Sequence, residues 1–177
     1  MSTLEHADGR APDLIVALVG FRQWRLDDGV LTSMRGGPPW SAAGITAHCD
    51  LGHSPAEVPA KGCSCGVYAY YDPCPRTASA ATPDLIGGAV IMWGQIEAHA
   101  YGMRGRHARI VALELPLSRG RKRQEVVEAA ARVGVPAVPH RSLKSAALAH
   151  GSVLQPSLRP KKTVTRAANV WARNGPA

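Results

Sequence analysis

Four residues of the kinds that bind metal ions fall within seventeen consecutive positions of this 177-residue chain, and they constrain its fold more than any other feature. The pattern is Cys49-x3-His53-x9-Cys63-x-Cys65. The segment that contains it is rich in proline and glycine, which break regular helices and strands. Something other than a sheet ladder must therefore order this segment, and a metal ion that cross-links four points of the loop would do so.

Zinc suits these ligand types, because it prefers four tetrahedral nitrogen or thiolate ligands. The x3 spacing brings Cys49 and His53 together across one turn, while Cys63 and Cys65 can approach from one side. We predict one structural Zn²⁺ ion bound by Cys49, His53, Cys63 and Cys65.

Three alternatives stay open for this cluster. It could be reduced or disulfide-bonded, or it could serve a redox or iron role, and Cys74 or His48 could replace one of the four ligands. A site filled by four protein ligands has no open position for a reacting water. A zinc enzyme would need one ligand off the metal and a general base such as Glu57.

The charge of the chain is divided unevenly. Residues 1–118 hold nine Lys and Arg against eleven Asp and Glu, whereas residues 119–177 hold twelve against two. Such asymmetry points to a polyanionic partner, nucleic acid or an anionic membrane surface, although a merely solvated basic surface is the simpler explanation. We expect DNA or RNA, with phosphates contacted by Arg119, Arg121, Lys122, Arg123, Arg159, Lys161 and Lys162.

The cysteine usage and the N-terminus favour a cytoplasmic protein. Four cysteines, three of them clustered, are too few for a secreted disulfide scaffold. The first residues are polar and acidic where a signal peptide would be basic and then apolar, and no run of eighteen apolar residues predicts a membrane span.

The pattern along the chain predicts an α+β fold: a small antiparallel β-rich, zinc-stabilised domain over residues 14–118, after a flexible N-terminus at 1–13. A first hairpin turns at Asp27-Asp28-Gly29 and returns through Val30. A second joins Leu85–Glu97 to Arg109–Leu115, and its extended tip would carry Arg104, Arg106 and His107.

A basic helical C-terminal extension is expected over residues 119–177. One helix covers Gln124–Val133, with Val126, Val127, Ala130 and Val133 on one stripe and Gly134 as C-cap. A second begins at the cap Ser142 and ends at Gly151, and a third covers Val164–Arg173. The first two have the layout of a helix-turn-helix, but Pro136 and Pro139 argue for a short strand between them.

The aromatic residues have a plainer expected role. Trp24, Trp40 and Trp93 are expected to pack in the core or against the zinc loop. Alternation places Tyr68 and Tyr70 on one face of a strand and Tyr71 on the other, so one side could stack a base or a peptide. We expect His99 and His107 to be surface residues of the second hairpin.

Part of the chain resembles a known pattern. The runs Ala47-His-Cys49, His53-Ser-Pro, Cys63-Ser-Cys65-Gly-Val-Tyr-Ala69 and Val90-Ile-Met-Trp93-Gly-Gln-Ile, with Trp40, are similar to a pattern in small uncharacterised actinobacterial and actinophage proteins. The resemblance covers roughly residues 18–115. It supports Cys49, His53, Cys63 and Cys65 over Cys74 as ligands, and it implies no activity.

Three functions follow from these patterns. The leading hypothesis is a zinc-stabilised nucleic-acid-binding or regulatory module whose basic C-terminal region contacts phosphates. The alternative is a protein-interaction adaptor that presents Trp and Tyr residues of the zinc domain to a protein partner. A zinc-dependent enzyme is the third.

Overall fold

The computed structural model describes residues 17–74, 84–117 and 120–161. The expected flexible N-terminus, Arg119, Lys162 and the expected helix at Val164–Arg173 lie outside them. The described strands are β1 (Leu18–Asp27), β2 (Val30–Ser33), β3 (Ile45–Thr46), β4 (Val67–Tyr70), β5 (Leu85–Ala98), β6 (Gly102–Leu115) and β7 (Ala137–Pro139). The helices are α1 (Arg121–Val133) and α2 (His140–Leu148), followed by a 3₁₀ turn at Pro156–Leu158.

The first hairpin turns at Asp28 and Gly29, which confirms the hairpin predicted from the Asp-Gly pair. Strands β1 and β2 are antiparallel, with Asp27 opposite Val30 and Trp24 opposite Ser33. The two connecting residues, Asp28 and Gly29, have φ angles of 47° and 75°. A two-residue turn with positive φ at both positions matches the right-handed twist of the strands, and Asp-Gly adopts it at low cost.

The second hairpin has a much shorter tip than the sequence predicted. Strands β5 and β6 pair from Gly88 opposite Leu113 to Ala98 opposite Met103, so only residues 99–101 connect them. Arg104, Arg106 and His107 therefore lie within β6 and not at an exposed tip. The prediction was wrong because the glycines at 102 and 105 do not form a turn; both are paired inside the sheet.

Four of the strands form a closed ring. Strand β1 pairs with β5, β5 with β6, and β6 with β4. A single pair, Phe21 opposite Tyr70, joins β4 back to β1. All of these pairings are antiparallel, which confirms an α+β protein dominated by an antiparallel sheet.

Alternate residues of the strands feed two separate hydrophobic clusters. Trp24 and Leu26 of β1 belong to the larger cluster, while Val19 and Phe21 belong to the smaller one. Because successive side chains of a strand point to opposite faces, the two clusters lie on opposite faces of the sheet. Helix α1 packs into the larger cluster and α2 into the smaller.

Helix α1 confirms the predicted helix and its C-cap. Gly134 adopts the left-handed conformation, and its N–H bonds the carbonyls of Ala130 and Ala131. The buried stripe is Val126, Ala129, Ala130 and Val133. Val127, which we had placed on the stripe, is 42% exposed. Spacing at i, i+3, i+4 and i+7 from Val126 selects Ala129 instead.

Helix α2 begins two residues before the predicted cap. Its N-cap is Pro139, so Ser142 lies inside the helix, and the helix ends at Leu148. Strand β7 stands between the two helices and pairs in parallel with β6, with Leu113 opposite Ala137 and Leu115 opposite Pro139. The short strand argued from the two prolines is therefore confirmed, and the described part of this region contains no helix-turn-helix.

Candidate metal centre

The four predicted ligands lie together in the loop between β3 and β4. Their ligand atoms all lie within 4.8 Å of one another. The Sγ atoms of Cys49 and Cys63 are 3.7 Å apart, and Sγ of Cys49 is 3.1 Å from Nδ1 of His53. In a tetrahedral zinc site these edges measure about 3.5–3.8 Å, given metal–ligand bonds of about 2.0–2.3 Å, so the separation of the two Sγ atoms lies within this range and the separation of Sγ from Nδ1 is shorter. The four residues can therefore hold a metal ion.

The two possible substitutes do not take part in the cluster. Among the described residues, the only group of three or more His, Cys, Asp or Glu side chains placed to hold a metal is Cys49, His53, Cys63 and Cys65. His48 and Cys74, although described, are not in it. Burial raises the pKa of the Cys74 thiol to about 11, so this residue is a protonated thiol at neutral pH.

The thiols of the cluster differ in their protonation. The hydrogen bond with His53 lowers the pKa of Cys49 to about 6. Desolvation by burial raises the pKa of Cys65, although the backbone N–H of Ala60 donates to its Sγ at 3.2 Å and acts in the opposite direction. Cys49 is thus ready to bind a cation, while Cys65 must lose a proton on binding.

A small hydrophobic core of its own surrounds the cluster. Cys49, Cys65, Val58 and Ala60 are buried together, and Val58 has no exposed surface. This core is separate from the two clusters of the sheet. It shields Cys49 and Cys65 from water, while His53 and Cys63 are only partly buried.

Arg104 of β6 anchors the second half of the loop. Its guanidinium donates to the backbone carbonyls of Cys63, of Cys65 at 2.9 Å and of Ala60 at 3.1 Å. Glu97 of β5 balances the charge, with Oε2 2.7 Å from Nη2. Only 3% of Arg104 is exposed, and among the described residues it is the only charged one that is buried. It therefore fixes the backbone of two ligand residues.

Arg106, two residues further along the same strand, anchors the first half. Its Nε donates to the carbonyl of Val58 at 3.1 Å, and Nη2 donates to the carbonyl of Ala56. Gln95 of β5 accepts from Arg106 at 3.0 Å and donates to the carbonyl of Pro59 at 3.2 Å. Sequence reasoning missed both arginines as supports of the site, because their partners lie about forty to fifty residues away in the chain.

Glu57 is poorly suited to act as a general base. Its Oε2 accepts from the backbone N–H of Ser54 at 2.8 Å and from the Ser54 hydroxyl at 2.7 Å. These hydrogen bonds lower the pKa of the carboxyl. A carboxylate whose basicity is reduced in this way is a weaker proton acceptor, so the geometry offers little support for a zinc enzyme.

The tryptophans divide between core and surface. Trp24 and Trp40 are buried and meet edge to face at 5.4 Å, as predicted, with the guanidinium of Arg22 over the Trp40 ring at 4.6 Å. Trp93 differs from the prediction, because 37% of it is exposed and it stacks on His107 with ring centres 5.5 Å apart.

The tyrosines follow the predicted alternation. Tyr71 is buried, and its hydroxyl donates to the carbonyl of His99, whereas Tyr70 is 39% exposed. Tyr68 is half-buried, and its hydroxyl donates to the carbonyl of Ser64.

The predicted phosphate-contacting residues occupy different settings. Arg121, Lys122 and Arg123 form the first turn of α1, where Arg121 is almost fully exposed and pairs with Glu125 at 2.7 Å. Arg159 instead packs on Tyr71 with its guanidinium 4.3 Å from the ring centre, and donates to the carbonyl of Leu154. Lys161 is exposed.

Comparisons with models of known protein families, with curated proteins and with solved structures find no match to this chain. Within the part of the chain that the structure describes, no helix is both long enough and apolar enough to cross a membrane.

Proposed function

We propose that this protein is a zinc-stabilised nucleic-acid-binding module. The choice of zinc rests on the ligand set: three cysteines and one histidine, whose ligand atoms lie within 4.8 Å of one another, are the soft ligands of four-coordinate zinc sites. Calcium and magnesium require oxygen ligands, which this cluster does not offer. With four protein ligands the coordination shell is closed, so the role of the metal is structural.

Metal analysis of protein purified without added zinc tests this assignment. We expect about one zinc per chain, as a closed Cys₃His site retains its ion through purification. A content below about 0.2 equivalents, together with a disulfide that includes Cys63 or Cys65, would contradict it.

The nucleic-acid assignment is carried by the first turn of α1. Three consecutive cations, Arg121, Lys122 and Arg123, stand there with no acidic residue in that turn. Cations at a helix N-terminus oppose the helix dipole, at a cost of about 0.3–1 kcal/mol each. A phosphate placed there interacts favourably with both the dipole and the side chains. The net charge of +10 after residue 118 supports the same partner.

Charge reversal is the appropriate test, because α1 contributes to the main core and truncation would remove that contribution. The variant R121E/K122E/R123E is compared with R25E/R35E/R109E, which changes the net charge equally at exposed arginines elsewhere. Fluorescence anisotropy on a labelled duplex and a labelled single strand reports affinity at about 50 and about 200 mM salt.

We expect log affinity of the wild type to fall linearly with log salt, and the α1 variant to bind at least about tenfold more weakly and with a smaller salt slope. The loss should be similar for all sequences, because phosphate contacts carry no base information. Equal affinity of the two variants, or no binding by the wild type at low salt, contradicts the proposal.

Exposed aromatic residues favour the second candidate, a protein-interaction adaptor. Trp93, Tyr70 and Tyr101 are 37%, 39% and 53% exposed, and such side chains are enriched at protein interfaces. Affinity capture with nuclease treatment and high salt separates the two functions. A partner that survives both treatments, and is lost in a Trp93→Ala variant, supports the adaptor.

A further inference from the structure

The carboxyl ends of β6 and β7 meet at a change of topology. The strands are parallel there, with Glu114 opposite Val138 and Leu115 opposite Pro139. Helix α1 follows β6 and packs on one face of the sheet, whereas α2 follows β7 and packs on the other. In open parallel sheets, two neighbouring strands whose connections leave toward opposite faces have a crevice between their ends in which ligands bind, and the β6–β7 pair reproduces this arrangement locally.

An open groove of about 490 Å³ lies at this position, lined by Leu117, Pro139, His140 and Arg141. Small-molecule sites usually measure about 300–1,000 Å³ and combine apolar walls with a few polar groups. Leu117 and Pro139 supply the apolar walls, and His140 and Arg141 supply the polar groups.

The imidazole of His140 is held in one orientation. Its Nδ1 is 2.9 Å from Oε1 of Glu114, and the Glu114 side chain is only 10% exposed. The carboxylate fits because residue 87 is glycine: a Cβ there would lie 2.6 Å from the other Glu114 oxygen. The carboxylate oxygen accepts a hydrogen bond from Nδ1–H, which fixes the orientation of the ring and leaves Nε2 as the ring nitrogen available to a ligand.

Arg141 differs from four arginines of the described chain whose side chains are anchored to the backbone. Arg104, Arg106, Arg132 and Arg159 all donate to backbone carbonyls. Arg141 is exposed and has no hydrogen bond or ion pair to the described residues. Its guanidinium presents two parallel N–H donors at the spacing of two phosphate oxygens.

We propose that this groove binds a small phosphate monoester of about nucleotide size. Arg141 and His140 contact the phosphate, and the apolar part of the ligand packs against Leu117 and Pro139. The guanidinium of Arg141 supplies positive charge opposite the charge of about −1.5 to −2 on a phosphate monoester at neutral pH. Glu114 is a positioning residue that acts through His140. The site goes beyond the nucleic-acid function, since it uses none of Arg121, Lys122 and Arg123.

Calorimetry with the full zinc-loaded chain tests the proposal, using adenosine 5′-monophosphate, inorganic phosphate and adenosine as probes. We expect the monophosphate to bind, inorganic phosphate to bind more weakly but measurably, and adenosine to bind at least about tenfold more weakly than the monophosphate, a difference of about 1.4 kcal/mol. Arg141→Ala should weaken monophosphate binding at least about tenfold, while Arg35→Ala, at an exposed arginine elsewhere, should not change it.

Three further variants complete the test. His140→Gln should weaken the monophosphate but hardly change adenosine, and Glu114→Gln should weaken it less than His140→Gln, because it disturbs only the orientation of the ring. The R121E/K122E/R123E variant should bind the monophosphate within about threefold of the wild type, so failure of the nucleic-acid function leaves this result unaffected. Equal binding of monophosphate and adenosine, unchanged binding in Arg141→Ala, or no binding of either phosphate at about 10 mM overturns the proposal.

Discussion

Replacement of Arg104 by methionine should weaken zinc binding, although Arg104 is not one of the four candidate ligands. The change keeps much of the side-chain volume but removes every donor to the carbonyls of Ala60, Cys63 and Cys65. It also leaves Glu97 without its arginine partner. The second half of the loop, which carries Cys63 and Cys65, then loses the side-chain hydrogen bonds that Arg104 donates to it from β6, while Arg106 still holds the first half.

The expected magnitude follows from these contacts. A hydrogen bond from a charged donor contributes about 1.5–3 kcal/mol, and the three carbonyl bonds are not additive because they share one guanidinium. Removal of one partner of a buried ion pair typically costs about 3–5 kcal/mol, which we take as the total. If about 2.7 kcal/mol of this total cost is lost from the free energy of zinc binding, the dissociation constant for zinc rises about 100-fold.

Competition with a chromophoric zinc chelator measures this change, and urea unfolding of the zinc-loaded protein measures the total. Arg109→Met is the matched control, because Arg109 lies on the same strand but is exposed. Arg104→Lys keeps the positive charge but lacks the planar guanidinium with its several N–H donors. Its zinc affinity should fall between those of the wild type and Arg104→Met. Zinc affinity of Arg104→Met within about threefold of the control would refute the reasoning.

Three other changes have definite expected outcomes. Cys63→Ser and Cys65→Ser should each lose the metal, whereas Cys74→Ser should keep about one equivalent by elemental analysis, since Cys74 is outside the cluster. Zinc affinity should fall as the pH drops from about 8 to about 5, because protons compete for the thiolates. Burial raises the pKa of Cys65, so its proton is still bound near neutral pH and should be released when zinc binds. A pH-indicator dye in weak buffer measures this release, and the absence of a signal on zinc addition would contradict the prediction. Arg159→Ala should lower the free energy of unfolding by about 1–2 kcal/mol in urea, through loss of the contact with Tyr71 and the bonds to Leu154. An unchanged unfolding midpoint would instead leave Arg159 free for phosphate.

The parts of the fold that sequence predicted are those set by neighbouring residues. Asp28-Gly29 specifies its turn through the conformations that these two residues accept, and the stripe that begins at Val126 specifies a helix by its spacing. The grouping of Cys49, His53, Cys63 and Cys65 was predictable for the same reason, as the four lie within seventeen residues and their chemistry is distinctive.

The parts that sequence did not predict depend on contacts between distant segments. Nothing local distinguishes Arg104, which is buried against a loop about forty residues earlier, from Arg109, which is exposed on the same strand. The ring closure through Phe21 and Tyr70 rests on one pair of residues, and neither has a pattern that identifies its partner. The groove beside His140 likewise exists only because β7 pairs with β6 in parallel.

The position of Arg104 also determines when the metal site is completed during synthesis. Arg104 lies 39 residues after Cys65, so all four ligands are made before the side chain that holds their loop. At translation rates of about 5–20 residues per second, this interval lasts about 2–8 s. During it, the nascent chain carries three thiols on a loop without its anchor. We therefore expect the Cys/His cluster to be held in place only after β6 joins the sheet, and its cysteines to be open to oxidation until then.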